Sequence, residues 1–342
     1  MTQTLLIQPP AQGRLSGGYR YNQALLREAA ASGFPLYARE VNPLTATAAE
    51  WSALSTPVIL WDSLYLELLA STPPPRKQAV HGLLVHYLPW LNPLLSAEAQ
   101  TLWMNRFDAA VQRMDGLIVT GAGAQAILQR RYPAMPVYFC EPGVDVEFVA
   151  ARPLAMDRNP AGPVKIITVG NLLPAKRPLE LLTLLARQEA DWVWHMAGDG
   201  ACDPPYTRRF RAHMDKLGLS SRCHLHGPLT PTQLARLLAT MDIFVSYSSY
   251  ESYGMALAEA AAVGLPALTT AVGDADRLLV AGETGLVVPV DDAPAFAAGL
   301  RRLLGDGALR HQFRQGLGTV RPHRWQQTFS SFSAAVQSLA RR

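Results

Sequence analysis

The stretch "DIFVSYSSYESYGMALAEAAAVGLPALTT" (242–270) contains a strand, a handover, a helix and a second strand. Ile243-Phe244-Val245 is a short apolar run that dissolves into Ser and Tyr, the pattern of a buried strand reaching its end. Met255 to Val263 is alanine-rich and is closed by Gly264 and then Pro266, the order that ends a helix. "PALTT" resumes an apolar run. Gly254 lies at the helix start, where unpaired N–H groups and the positive end of the dipole can hold an anion. A glycine there also lets a ligand approach the backbone closely. Glu251 stands on the loop and Glu259 one to two turns into the helix. Singly, Glu251 reads as a loop charge and Glu259 as a solvated helix residue. But Glu259 sits between "MALA" and "AAAV", where a charge facing an apolar layer is costly without a partner.

The same alternation runs outward in both directions. Upstream lie strand "VKIITVG" (164–170), helix "RPLELLTLLARQ", strand "DWVWHMAG", helix "PYTRRFRAHMDKLG", strand "CHLHG" and helix "TPTQLARLLAT". Downstream lie "GLVVPVD" and helix "DAPAFAAGLRRLLG". An earlier set holds strands "TLLIQP" (4–9), "PVILWD" (57–62), "QAVHGLLVHYL" (78–88), "DGLIVTG" (115–121) and "PVYFCEPGVD" (136–145). Its helices are "GGYRYNQALLREAAASG" and "AGAQAILQRRY". Strands alternating with helices of this length predict parallel sheets covered on both faces. The stretch 150–163, with three prolines and a glycine, reads as a linker. The expectation is an α/β chain of two doubly wound Rossmann-like domains facing across a cleft: 1–155, 156–320, and a tail helix over 321–342 that packs back toward the first. Ligands in such sheets bind at the carboxyl ends of the strands.

The totals narrow the function classes. At 342 residues, 49% hydrophobic and 17% charged, the chain reads as globular. No run approaches the ~18 apolar residues of a membrane span. The start has no basic leader, so the expected location is cytoplasmic. Cys140, Cys202 and Cys223 form no C-x-x-C pair, which argues against a disulfide framework or a structural zinc site. His224 and His226 read as two side chains on one face of a strand rather than a metal site. The net charge of +4 falls in the second half, without a basic stripe interleaved with aromatics, so nucleic acid is not expected as a partner.

The segment E-S-Y-G-M-A-L-A-E closely resembles the paired-glutamate motif of retaining glycosyltransferases of family 4. "TVGNLLPAKRPLELL" is similar to that family's phosphate motif, and "HMAGDG", "HLHGPLTPTQL" and "GETGLVVP" to its later strand ends. "SGGYRYNQALLREAAASG" resembles its N-terminal glycine-led helix and "EPGVD" its domain junction, with Pro142 in place of asparagine. The likeness covers most of the chain and is strongest from 164 to 292. It implies a GT-B fold and a metal-independent hexosyltransferase, with no cofactor and a nucleotide-diphosphate sugar as donor. Glu251 would hold hydroxyls of the donor sugar, and Glu259 the ribose. Backbone amides near Tyr253, Gly254 and Met255 would take the diphosphate, and Lys176 would neutralise charge developing on the leaving group. The motif's arginine is Asn171 here, and Arg177 is the cation available to replace it. Gly17 and Gly18 match the loop over the donor phosphates, although a plain helix start explains them equally. His86 fits the family's active-site histidine.

The remaining residues leave alternatives open. His81 reads as a packing residue. Asp62 is either an acceptor ligand or a strand-end turn residue. Tyr87 and Trp90 form an acceptor wall or simply pack. The basic tail reaches the first domain or touches the inner membrane face. The acceptor is a small molecule, a glycan or a lipid-linked sugar. No strong general-base pair is evident, so the leaving phosphate is expected to help deprotonate the acceptor. Epimerisation or phosphorolysis on the same fold, and a non-catalytic sugar-binding subunit, are the competing functions. "VTGAGAQA" lacks the third glycine of a dinucleotide fingerprint, which ranks an oxidoreductase lower.

Overall fold

A computed structural model describes residues 2–10, 16–42, 54–74, 79–152 and 162–341. The chain divides into two units, Met1–Gly143 with His323–Arg342, and Val144–Pro322. Each is built on one six-stranded, all-parallel sheet.

The first unit has strands β1 (Thr4–Gln8), β2 (Leu36–Glu40), β3 (Val58–Asp62), β4 (Val80–Val85), β5 (Gly116–Val119) and β6 (Val137–Phe139), in the order β2-β1-β3-β4-β5-β6. β3 is buried along its whole length, as a strand covered on both faces must be. β2 has no counterpart in the sequence reading. Only its first residue, Leu36, is buried and the other four are exposed, so this edge strand lacks an apolar run to betray it. The helix Ala97–Val111, capped by Ser96, was likewise not anticipated; its buried positions (Phe107, Ala110, Val111) crowd into its last turn.

The tail helix Trp325–Ala340 belongs to this first unit. It packs beside the helix Gly17–Ser32, with Trp325 edge-on to Tyr21 and Phe329 edge-on to Phe34, at 5.7 and 5.6 Å between ring centroids. Leu339 rests on β4 and β5, where a Cβ on Gly82 or Gly116 would come within 3.2 or 2.5 Å of it. The two strand glycines therefore clear the floor on which this helix lies.

The second unit has β7 (Val164–Val169), β8 (Trp192–Ala197), β9 (Cys223–Gly227), β10 (Ile243–Ser246), β11 (Ala267–Thr270) and β12 (Gly285–Val288), in the order β12-β11-β10-β7-β8-β9. That is the doubly wound dinucleotide-fold order, with its reversal between β7 and β10. Trp192, Trp194 and Phe210 fill one face, and the all-buried helix segment Leu257–Val263 fills the other. The units part between Gly143 and Val144, twelve residues before the expected 155/156 boundary. The short helix Val146–Ala150 explains the difference, because Phe148 is buried against the core of the second unit. Most of the expected linker, 153–161, lies outside the described residues. No helix among the described residues is long and apolar enough to cross a membrane.

Candidate functional site

In the second unit the predicted residues gather at the reversal of strand order. β7 runs into Gly170, whose φ of 151° suits glycine, and then into Asn171. A Cβ on Gly198, at the end of β8, would lie 2.0 Å from the Gly170 carbonyl oxygen. The two strand ends thus touch backbone to backbone, which only glycine permits. A short 3-10 turn, Pro174–Lys176, then delivers the Lys176 side chain. From the neighbouring β10 comes the loop bearing Ser248, Ser249 and Glu251. The loops are tied together: the Ser249 backbone N–H donates to the Ala175 carbonyl at 2.8 Å, and the Thr270 hydroxyl donates to the Ser248 carbonyl at 2.6 Å.

Across this junction Lys176 Nζ meets Glu251 Oε1 at 2.5 Å, and the Ser248 hydroxyl donates to the same oxygen at 2.9 Å. The two side chains keep 25% and 20% of their exposure. The pair is therefore covered but open to a ligand, and a partly exposed pair contributes little to stability by itself. Beside it the helix Met255–Val263 begins at Gly254, which has φ 111° and offers no side-chain cap. The amides of its first turn have no intrahelical acceptor. Unpaired amides at a helix start are suited to a phosphate, and Glu251, which Lys176 meets, lies three residues before this one. Glu259 is buried at 3% exposure within the same helix, not solvated.

Three predicted donor residues occupy different posts. The Asn171 side-chain oxygen accepts the Asp199 backbone N–H at 3.0 Å and braces the loop after β8. Arg177, at φ 49°, points its guanidinium to Asp291 (2.6 Å) and over the Tyr247 ring, so Asp291 already engages it. The Tyr253 ring lies in the core at 4% exposure. Its carbonyl accepts the Asp274 N–H at 2.8 Å, which leaves its backbone, not its ring, bordering the helix start.

In the first unit the residues gather where β1, β3 and β4 end. Ser16 caps the helix Gly17–Ser32, accepting the Tyr19 N–H at 3.1 Å. A Cβ on Gly18 would approach His86 Cγ to 3.0 Å. His86 Nε2 lies 2.9 Å from Asn22 Oδ1 and 3.3 Å from Asp62 Oδ2. Asn22 Nδ2 donates to Asp62 Oδ2 at 2.9 Å, and the Leu64 N–H donates to Asp62 Oδ1 at 2.9 Å. The Ser63 hydroxyl accepts the His86 backbone N–H at 3.1 Å. Burial pushes the Asp62 carboxyl up, but His86, the Leu64 amide and Asn22 outweigh it and hold the group below the usual carboxylate range. A buried His–Asp pair thus stands here, which the sequence reading did not bring together. Asn22 gave no signal in the sequence, being one polar residue inside an amphipathic helix. Asp62 is both turn residue and histidine partner.

His81 is buried and accepts the Trp61 indole N–H at Nδ1 (3.1 Å), a packing role. Trp90 packs edge-on against Phe107 at 4.7 Å. His224 and His226 share one face of β9 with His195 of β8, whose Nδ1 lies 2.9 Å from His226 Nε2. Burial, then the neighbouring His224, His226 and Lys165, depress His195 to about 4. Among the described residues no group of three or more His, Cys, Asp or Glu is placed to hold a metal ion.

Comparison with known proteins gives this geometry its context. Residues 156–316 match the family model "Glycosyl transferases group 1". A D-inositol 3-phosphate glycosyltransferase of Corynebacterium glutamicum is 30% identical over 241 residues, 66% of this chain and 56% of that protein. The lipopolysaccharide core biosynthesis glycosyltransferase LpsE of Rhizobium meliloti is 30% identical over 165 residues, 46% of either chain. The chain thus spans about half the length of these curated relatives. Sucrose-phosphate synthase from Thermosynechococcus elongatus shares the fold at a TM-score of 0.81 and 19% identity, over 99% of both chains. Anabaena HepE, solved with UDP and glucose, superposes at 0.76 and 13% identity over 99% of this chain and 100% of its own. Residues 156–316 are therefore similar to the glycosyl transferases group 1 family, and the chain that carries them has the two doubly wound units of the GT-B fold.

Proposed function

We propose that the protein is a retaining glycosyltransferase that moves a hexose from a nucleotide-diphosphate sugar to an acceptor hydroxyl without a metal. The observation that carries this reading is the Lys176–Glu251 pair set beside the uncapped helix start at Gly254. The amides of Gly254, Met255 and Ala256 take the diphosphate. Lys176 exchanges the Glu251 carboxylate for a phosphate oxygen and stabilises the negative charge that grows as the bond to the sugar breaks. Glu251, so released, accepts hydrogen bonds from sugar hydroxyls, and Glu259 holds the ribose. Charge stabilisation thus comes from one ammonium, the amides and the helix dipole, and Asn171 serves as a brace in place of a second cation. The leaving phosphate takes the acceptor proton on the face from which it departs.

The acceptor is a small molecule, a glycan or a lipid-linked sugar, met in the cytoplasm or at the inner membrane face. The test is a panel of nucleoside-diphosphate sugars, begun with UDP-glucose because HepE binds it, with product configuration read by NMR in the presence and absence of a chelator. Retained anomeric configuration and turnover insensitive to the chelator are expected. Near-normal rates in both Lys176→Ala and Glu251→Ala would show that the site is wrongly assigned.

A further inference from the structure

Asp62 carries a charge in a place where charge is expensive. It is 1% exposed, and the groups that act on it are His86, the Leu64 amide and Asn22. A buried carboxylate persists only where hydrogen-bond donors replace water. Here those are the Leu64 amide, the Asn22 amide and the His86 imidazole. The arrangement also fixes which nitrogen of His86 carries the proton. Asn22 must turn its NH2 to the carboxylate, so its carbonyl oxygen faces His86. Nε2 then has two acceptors in front of it, Asn22 Oδ1 and Asp62 Oδ2, and none of the donors it would need as a bare nitrogen. Nε2 therefore carries a proton, and in the neutral ring Nδ1 is then the acceptor that a substrate can use.

The sheet explains why these three side chains meet. Asn22 lies in the helix that follows β1, Asp62 ends β3, and His86 directly follows β4. In the order β2-β1-β3-β4 the chain reverses its winding between β1 and β3, so the loops around their carboxyl ends leave a crevice. Gly18 closes one side of it against His86, and Tyr21 stands edge-on to the imidazole at 5.4 Å. The ring is thus held by contacts on its edge, its face and its Nε2, more constraint than packing alone demands.

We propose that Asp62, acting directly and through Asn22, is the positioning residue of the transfer reaction: it holds His86 as the Nε2–H tautomer and presents Nδ1 to a substrate hydroxyl as hydrogen-bond acceptor. The inference rests on the transferase reading above. The opposing explanation is that Asp62 only caps the turn after β3, which its bond to the Leu64 amide would satisfy.

Asp62→Asn separates the two, because asparagine caps as well as aspartate but carries no charge. The full chain, labelled with 15N-histidine, is compared with Asp62→Asn and Asn22→Ala by imidazole NMR near neutral pH, and all are assayed with the productive donor and acceptor. The wild type is expected to show His86 protonated at Nε2 alone, and both variants a mixture of tautomers. Turnover should fall 10- to 100-fold with donor KM within about twofold, since the nucleotide is held by the other unit. Asp62→Asn added to His86→Ala should cost nothing more than His86→Ala alone. An unchanged tautomer with turnover within twofold of wild type would reduce Asp62 to a cap. Equal further loss in the His86→Ala background would show that it acts elsewhere. If no donor supports turnover in the wild type, the transferase reading fails, and the NMR comparison still decides whether Asp62 sets the His86 tautomer.

Discussion

A Cβ on Gly18 would stand 3.0 Å from His86 Cγ, so the imidazole must shift by a few tenths of an ångström to admit one. The backbone of Gly18 is ordinary helix start, so Gly18→Ala should leave the melting temperature within a few degrees or raise it slightly. Activity should nevertheless drop about tenfold as His86 is pushed off its partners, and a thermal melt run alongside the kinetic assay reads both effects. Lys176→Ala should lower kcat/KM by about 10²–10³-fold, the range seen when one charge-stabilising donor is removed. Its effect on stability should stay under about 1 kcal/mol, because the pair with Glu251 is partly exposed. Asp62 makes a prediction about pH. Its folded-state pKa lies below the value in the unfolded chain, near 3.9. Its contribution to stability is therefore complete above about pH 4 and is lost as pH falls through the lower folded value. Denaturant melts between pH 7 and 2.5 should show a smaller acid loss in Asp62→Asn than in the wild type.

At the scale of elements, the site is made by strand ends and helix starts brought together by glycine. Gly254 takes φ 111° at the start of the helix Met255–Val263. Any other residue there is strained by about 1–3 kcal/mol. Gly254→Ala should lower thermal stability by that amount and weaken nucleotide binding, measured by the melting shift that UDP produces. The strand–turn–helix–strand pattern of 242–270 was legible in the sequence, and so were Gly254, Gly264 and both glutamates, since each announces itself through local chemistry. The edge strand Leu36–Glu40 was not, because four of its five residues face solvent and no alternation survives. The post that Arg177 takes was hidden for a different reason. Its neighbour Lys176 points to Glu251, but the left-handed backbone at Arg177 turns the next side chain toward Asp291, and no sequence spacing encodes that turn.

At the scale of the molecule, the tail belongs to the fold of the first unit. Phe332, fully buried in the helix Trp325–Ala340, ties the C-terminus to that unit. Phe332→Ala should cost about 3–5 kcal/mol. Hydrogen exchange should speed up in Val58–Asp62 and Val80–Val85 and stay unchanged in Val164–Val169 and Ile243–Ser246. A uniform increase would mean that the units unfold as one.

From the sequence alone follow the parallel α/β architecture and the glycine-led helix start that Glu251 precedes and Glu259 follows, since hydrophobic period and helix-terminus chemistry are local. Lys176 and His86 were singled out by the resemblance to a known family rather than by spacing. Only the tertiary structure decided where the units part, what Asn171 and Arg177 hold, and that Asn22, Asp62 and His86 form one cluster. The members of that cluster are separated by 40 and 64 residues along the chain, and nothing but the order of strands in the sheet brings them within hydrogen-bond reach.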